Sequence, residues 1–162
     1  MLTLTDFTSA GEVRTLLGLT DEELEDSQVE SDLCAMHLAR ELQAVAPAIE
    51  MDFLDLKGLS LEDEERAFSD AVRLFAAHSV ATLLAGALPL LAPKTVTDGK
   101  ASYNRFAEAP FKTVMDTVNR GYLRARRELQ TTYAAFIGEE AQARTVFAGI
   151  RSASPTTNPV TG

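Results

Sequence analysis

Residues 60–89 read SLEDEERAFSDAVRLFAAHSVATLLAGALP, and the spacing of apolar residues in this stretch decides the fold. Phe68, Val72, Phe75, Ser79 and Leu83 recur at three- and four-residue intervals, the repeat of a single helix face, so all five are expected to point inward. Ser60 is the expected N-cap, with Asp63 at the capping-box position. The pattern predicts one long core helix, and the rest of the chain has to supply the surface it packs against.

Working towards the amino terminus, Leu33, Leu38, Leu42, Val45, Ile49 and Phe53 form another apolar stripe between Val29 and Leu56. Pro47 interrupts it, which predicts a kink or break at Ala46. Before that, TSAGEVRTLLGLT predicts a short first helix: Thr8 or Ser9 caps it, Val13, Leu16 and Leu17 share a face, and Gly18 stops it. In TDEELEDSQVE, Thr20 and Glu23 form a capping box, and the acids of this first turn suit the positive end of a helix dipole.

Towards the carboxyl terminus, the pattern stops between Pro89 and Pro110, where Pro, Asp-Gly, Ser and Asn fall in turn positions. A loop this long inside a compact domain is usually functional, so Asp98, Lys100, Tyr103 and Arg105 are candidate contact residues. Pro110 then opens a further helix, with Phe111, Val114, Val118, Tyr122, Leu129 and Phe136 on its stripe and Gly138 as its stop. The chain ends in TVFAGIRSASPTTNPVTG, a short β-prone run followed by a segment too polar to fold alone. The expected organisation is an all-α helical bundle over residues 1–144, with a long inter-helix loop and an extended C-terminal arm over residues 145–162.

The 162 residues form one domain's worth of chain, and a hydrophobic content of 46% with 24% charged residues excludes global disorder. The apolar run from Val80 to Pro93 is shorter than the ~20 residues a membrane span needs and contains a proline, so no membrane association is expected. The single Cys34 cannot form an internal disulfide, and no amino-terminal stretch joins basic residues to an apolar run, so folding in a reducing cytosol without a secretion signal is expected.

The net charge of −9 is unevenly spread. Residues 21–65 carry fifteen acidic and two basic side chains, net −13, whereas residues 66–162 carry seven acidic and twelve basic ones, net +5. Opposite signs on the two parts suit copies that pack acidic face to basic face, and they disfavour a general nucleic-acid binder, which needs a basic footprint. A solvated acidic helix surface is the plainer reading of the same residues. Within the basic part, Arg120, Arg124 and Arg127 fall at i, i+4 and i+7, with Arg126 beside them, and form a candidate inter-subunit or partner-contact face for carboxylates of the 21–65 segment, in preference to nucleic-acid phosphates given the net charge of −9.

Catalytic chemistry is not apparent in the pattern. His37 and His78 lie in separate helices without metal-ligand spacing around them, so no metal and no cofactor is expected. TDGKAS at 97–102 lacks the glycine and four-residue spacer of a phosphate-binding loop. Cys34 has acidic neighbours in Glu30 and Asp32 and no Lys or Arg beside it, which disfavours a thiolate and makes a reactive cysteine unexpected.

Taken together, VRTLLGLTDEELEDSQVESDL near the start, the central VTDGKASYNRF and the ending PTTNPVTG resemble the head-to-tail connector proteins of long-tailed double-stranded DNA phages, also called adaptor or head-completion proteins. The likeness covers element order along nearly the whole chain and rests on loose motifs. It implies a structural virion protein and not an enzyme, located at the head-to-tail interface and assembled in the host cytoplasm. It further implies a homo-oligomeric ring, typically of twelve copies, that binds the portal protein and a downstream tail or stopper protein and extends the channel for passing double-stranded DNA. On this resemblance Glu22, Glu23, Glu25, Asp26 and Glu30 are an acidic channel or inter-subunit face, which would repel phosphate. The portal-docking arm would use Val146, Phe147 and Ile150 to add a strand to a portal edge, with Pro155 and Pro159 holding an extended course beyond. An acidic DNA mimic or other helical protein-binding regulator, and a small enzyme with an unfamiliar site, are the competing classes.

Overall fold

The computed structural model describes residues 3–87, 95–98, 101–104 and 110–151. A 3-10 turn at Leu4–Asp6 leads into α1 (Ala10–Leu17), α2 (Asp26–Val29), α3 (Asp32–Val45), α4 (Ile49–Asp55) and α5 (Asp63–Ala85). A hairpin of β1 (Thr95–Asp98) and β2 (Ala101–Asn104) follows, and then α6 (Pro110–Arg151). The fold is all-α apart from that hairpin.

The long helix expected from residues 60–89 is α5, and it is the centre of the molecule. Phe68, Val72, Phe75, Ser79 and Val80 are fully buried along it. Its chief partner is α6, with α1 and α3 covering other sides. Phe68 stacks on Phe136 with ring centroids 4.8 Å apart, and Phe75 meets Tyr122 at 5.6 Å, so the two helices run antiparallel. The stripe that α6 turns inward is Val118, Ala125, Leu129, Tyr133 and Phe136. Val114 is partly buried against the same core, which also holds Leu38, Leu42, Ile49 and Phe53. Phe7 stacks on Phe53 at 4.9 Å and closes the amino-terminal end of the cluster.

Local signals account for the short elements. Ser9 caps α1, its hydroxyl accepting from the Glu12 N–H at 3.2 Å while the Glu12 carboxylate accepts the Ser9 N–H at 2.9 Å. Gly18 ends α1 in the left-handed conformation, φ 66°, which a side chain would resist. Thr20 and Glu23 make their predicted contact, the Thr20 N–H donating to the Glu23 carboxylate at 3.0 Å, but only a turn follows and α2 starts at Asp26. Ala46 is extended between α3 and α4, the break expected from Pro47.

Five expectations require correction. Leu33 is exposed, and Cys34 takes its place in the α3 stripe with Leu38 and Leu42. Leu33 stands five residues before Leu38, about 140° away round a helix, whereas Cys34 is one turn away. Ser60 does not cap α5; the N-cap is Glu62, whose N–H donates to the Glu65 carboxylate at 2.9 Å. The segment before Pro110 holds a hairpin where only loop was expected, with Val96 opposite Tyr103 and Asp98 opposite Ala101. Gly138 does not stop α6; among the described residues only Gly18 and Gly58 have positive φ, so Gly138 keeps the helix right-handed at a cost of about 1 kcal/mol relative to Ala.

The fifth correction concerns the arm. Helix α6 runs on to Arg151, so Val146, Phe147 and Ile150 lie on a helix and not on a strand, and the boundary at 144/145 falls inside that helix. Val and Phe cost only a few tenths of a kcal/mol in a helix, and extending an existing helix avoids nucleation. An extended course can begin only after Arg151, and Pro155 and Pro159 lie outside the described residues.

At Gly121 the His78 side chain of α5 packs directly on the α6 backbone. A Cβ there would lie 2.3 Å from His78 Cε1 and 2.7 Å from His78 Nδ1, so the glycine is required by the imidazole that fills its place.

Two stability outcomes test this architecture. Phe75→Ala should lower the unfolding free energy in urea by about 3 to 5 kcal/mol, the usual cost of removing a buried phenyl ring. Gly121→Ala should cost about 1 to 3 kcal/mol by overpacking, and the cost should shrink in a His78→Ala background. Additive effects in that double-mutant cycle would contradict the contact.

Candidate functional site

The amphipathic geometry of α6 places its arginines. Arg120, Arg124 and Arg127 lie roughly half a turn round the helix from the buried stripe, and all three are exposed. Arg120 Nε donates to its own helix at the Asp116 carbonyl, 3.2 Å away. Among the described residues none of the three meets a carboxylate: the ion pairs are Arg14–Asp26, Lys57–Asp6 and Arg66–Asp63. Leu123, half exposed, lies beside this ridge.

Arg126 belongs to a different group. It leans back towards the core at 3.4 Å from the Tyr122 hydroxyl, which in turn donates a short hydrogen bond to the Glu41 carboxylate on α3. Partial burial and the Glu41 carboxylate raise the Tyr122 pKa, keeping it a neutral donor. The same device recurs nearer the other end of the helix pair, where the Tyr133 hydroxyl donates to Asp52 Oδ2 at 2.7 Å. Both tyrosines thus tie α6 to the acidic part of the chain.

The acidic residues separate into two places. In the 21–30 segment, Glu22, Glu25, Asp26 and Glu30 are exposed and Glu23 is half-buried. Asp26 is paired with Arg14 at 2.6 Å, which partly neutralises this face within the chain, and Glu23 accepts from the Thr20 N–H. The second place is a groove of about 240 Å³ whose walls carry Asp52, Asp55, Glu62, Glu64 and Glu65, with Phe136 in its lining. Along the chain these acids fall in runs that suit a solvated surface. The groove forms because α4, the start of α5 and α6 converge, and no local spacing encodes that convergence.

Of the remaining candidates, Asp98 and Tyr103 are in β1 and β2, while Lys100 and Arg105 lie outside the described residues. Cys34 is buried, its Sγ 3.7 Å from the Gln28 carbonyl that it can donate to. Among the described residues no group of three His, Cys, Asp or Glu is placed to hold a metal ion, and no helix is long and apolar enough to cross a membrane.

His78 carries the clearest electrostatic strain. Its Nδ1 is buried against Gly121 without a hydrogen-bond partner among the described residues, and burial lowers its pKa from the ordinary 6.5. The unfolded chain therefore binds the proton more tightly, so the contribution of His78 to stability is complete above pH 6.5 and is lost as pH falls through and below that value. Melting temperatures between about pH 7.5 and 5 should fall for the wild type and fall less for His78→Gln, which cannot titrate. Equal slopes in the two proteins would remove this role.

No family model, no curated protein and no solved structure matches this chain. The functional reading therefore depends on the faces described above and on the resemblance in the sequence.

Proposed function

We propose that the protein is a structural subunit of a homo-oligomeric ring that joins a phage head to its tail below the portal and extends the DNA channel. The observation that carries this reading is the reach of α6. Phe136 lies opposite Phe68, only five residues after α5 begins, yet α6 continues fifteen residues further, to Arg151. At 1.5 Å per residue the helix overshoots its partner helix by about 15 Å. A helix that runs past the start of its partner helix, followed by a Pro-, Ser- and Thr-rich end, suits engagement of a second protein.

The separation of charge supports the same reading. Exposed Glu22, Glu25 and Glu30, turned to a channel, would repel DNA phosphates and let the duplex slide, whereas a basic lining would bind through counterion release. Faces of opposite sign on one chain favour heterologous contacts, and such contacts close into a ring when the rotation between neighbours allows it. The docking element consistent with the fold is the helical end of α6 carrying Val146, Phe147 and Ile150, in place of an added β-strand.

Truncation after Ala143 separates folding from docking, because the last buried side chain described on α6 is Phe136. The shortened chain should keep its helix content up to the cut and melt within a few degrees of the full chain, yet fail to remain on packed heads. Heads that retain DNA and acquire tails with the truncated chain would refute the connector reading.

A further inference from the structure

We infer that the acidic groove of one copy receives the Arg120, Arg124 and Arg127 ridge of the next copy, making a head-to-tail subunit contact. The inference deepens the ring proposal and rests on it for the identity of the occupant. Its starting point is an unpartnered helix face. Three guanidinium groups share one side of α6, and no carboxylate of the described chain reaches any of them.

The complementary surface is present but cannot be reached from within the same chain. Asp52, Asp55, Glu62, Glu64 and Glu65 line the groove without a cation among its walls. Of these, Asp52 accepts from Tyr133 and Glu65 from the Glu62 N–H, both neutral donors that leave the negative charge in place. Phe136, in the groove lining, is on α6 nine residues beyond Arg127, about 13 Å along the axis, and it faces α5 whereas the ridge faces away. The two surfaces therefore point in different directions on one molecule. A contact between them joins unlike faces, and repeated from copy to copy it closes a ring when the rotation between neighbours allows it.

Shape and composition agree with charge. The ridge is convex and the acidic surface concave. Each carries an exposed apolar side chain, Leu123 beside the arginines and Leu59 at the groove, which gives the contact a dry patch inside a polar rim. Isolated surface ion pairs contribute little, but guanidinium groups held in a carboxylate-walled groove form a network of charge-assisted hydrogen bonds and exclude like-charged surfaces. A nucleic acid is the lesser occupant, because the acids bring the whole chain to −9 and would oppose its approach.

The test uses two full-length variants. One carries Arg120→Glu, Arg124→Glu and Arg127→Glu; the other carries Asp55→Lys, Glu62→Lys and Glu64→Lys, and circular dichroism confirms that each is helical. Native mass measurement should show wild-type oligomers, loss of assembly for either variant alone, and restored assembly when the two are mixed, since every contact in an alternating ring is then complementary. If a charge variant proves unfolded, Asp55→Cys with Arg124→Cys in one chain replaces it: oxidation should give a ladder of linked copies, with the buried Cys34 inert. A wild-type chain that stays monomeric, either variant assembling alone, a mixture that does not assemble, or no ladder would overturn the inference. So would a ridge variant that loses DNA binding while still assembling. Wild-type rings that assemble through this contact but do not bind portal-bearing heads would instead remove the connector reading and leave the contact standing.

Discussion

The antiparallel packing of α5 on α6 is the constraint on which the rest of the structure depends. Aromatic contacts fix its register: Phe68 against Phe136 and Tyr133 at one end, Phe75 against Tyr122 nearer the other. Gly121 lets His78 into the interface and sets how near the helices come. Once that register holds, the inward stripe of α6 is committed to the core and its arginines must face solvent. The same register places Tyr122 and Tyr133 where their hydroxyls meet Glu41 and Asp52, so the acidic helices α3 and α4 are held against the basic one.

That arrangement keeps the two signs of charge close, with few ion pairs among the described residues. Tyr122 and Tyr133 carry bonds from α6 to Glu41 and Asp52, and Arg66–Asp63 is the one ion pair between the two parts among the described residues, while Arg120, Arg124 and Arg127 meet no carboxylate there. Apolar burial, with Leu38, Leu42, Val72 and Leu129 wholly enclosed, supplies the stability.

How much of this was legible in the sequence follows from the range of the interactions involved. The α5 stripe, the break at Ala46, the Gly18 stop and the start of α6 at Pro110 are local signals, and each appears where the spacing puts it. Leu33 enters the stripe by apolar character alone, whereas Cys34, a small hydrophobe one turn before Leu38, is the residue that belongs to the α3 face. The hairpin was signalled by Asp98-Gly99 between β-favouring residues, a cue outweighed by the loop composition around it. The strand reading of residues 145–150 failed because β-propensity is a weak preference that a helix already formed can override. The Arg120, Arg124 and Arg127 ridge was visible from spacing alone, whereas the acidic groove needs α4, α5 and α6 brought together and has no signature along the chain.

The central claim is that opposite-signed faces of identical chains mate, and its most direct measurement is the mass of the purified full-length protein as salt is raised. Charge mating predicts one discrete oligomer at about 0.05 M salt that dissociates to folded monomers by about 1 M, where the screening length has fallen to roughly 3 Å. A protein that is monomeric throughout, or an oligomer whose mass does not respond to salt, would contradict the account.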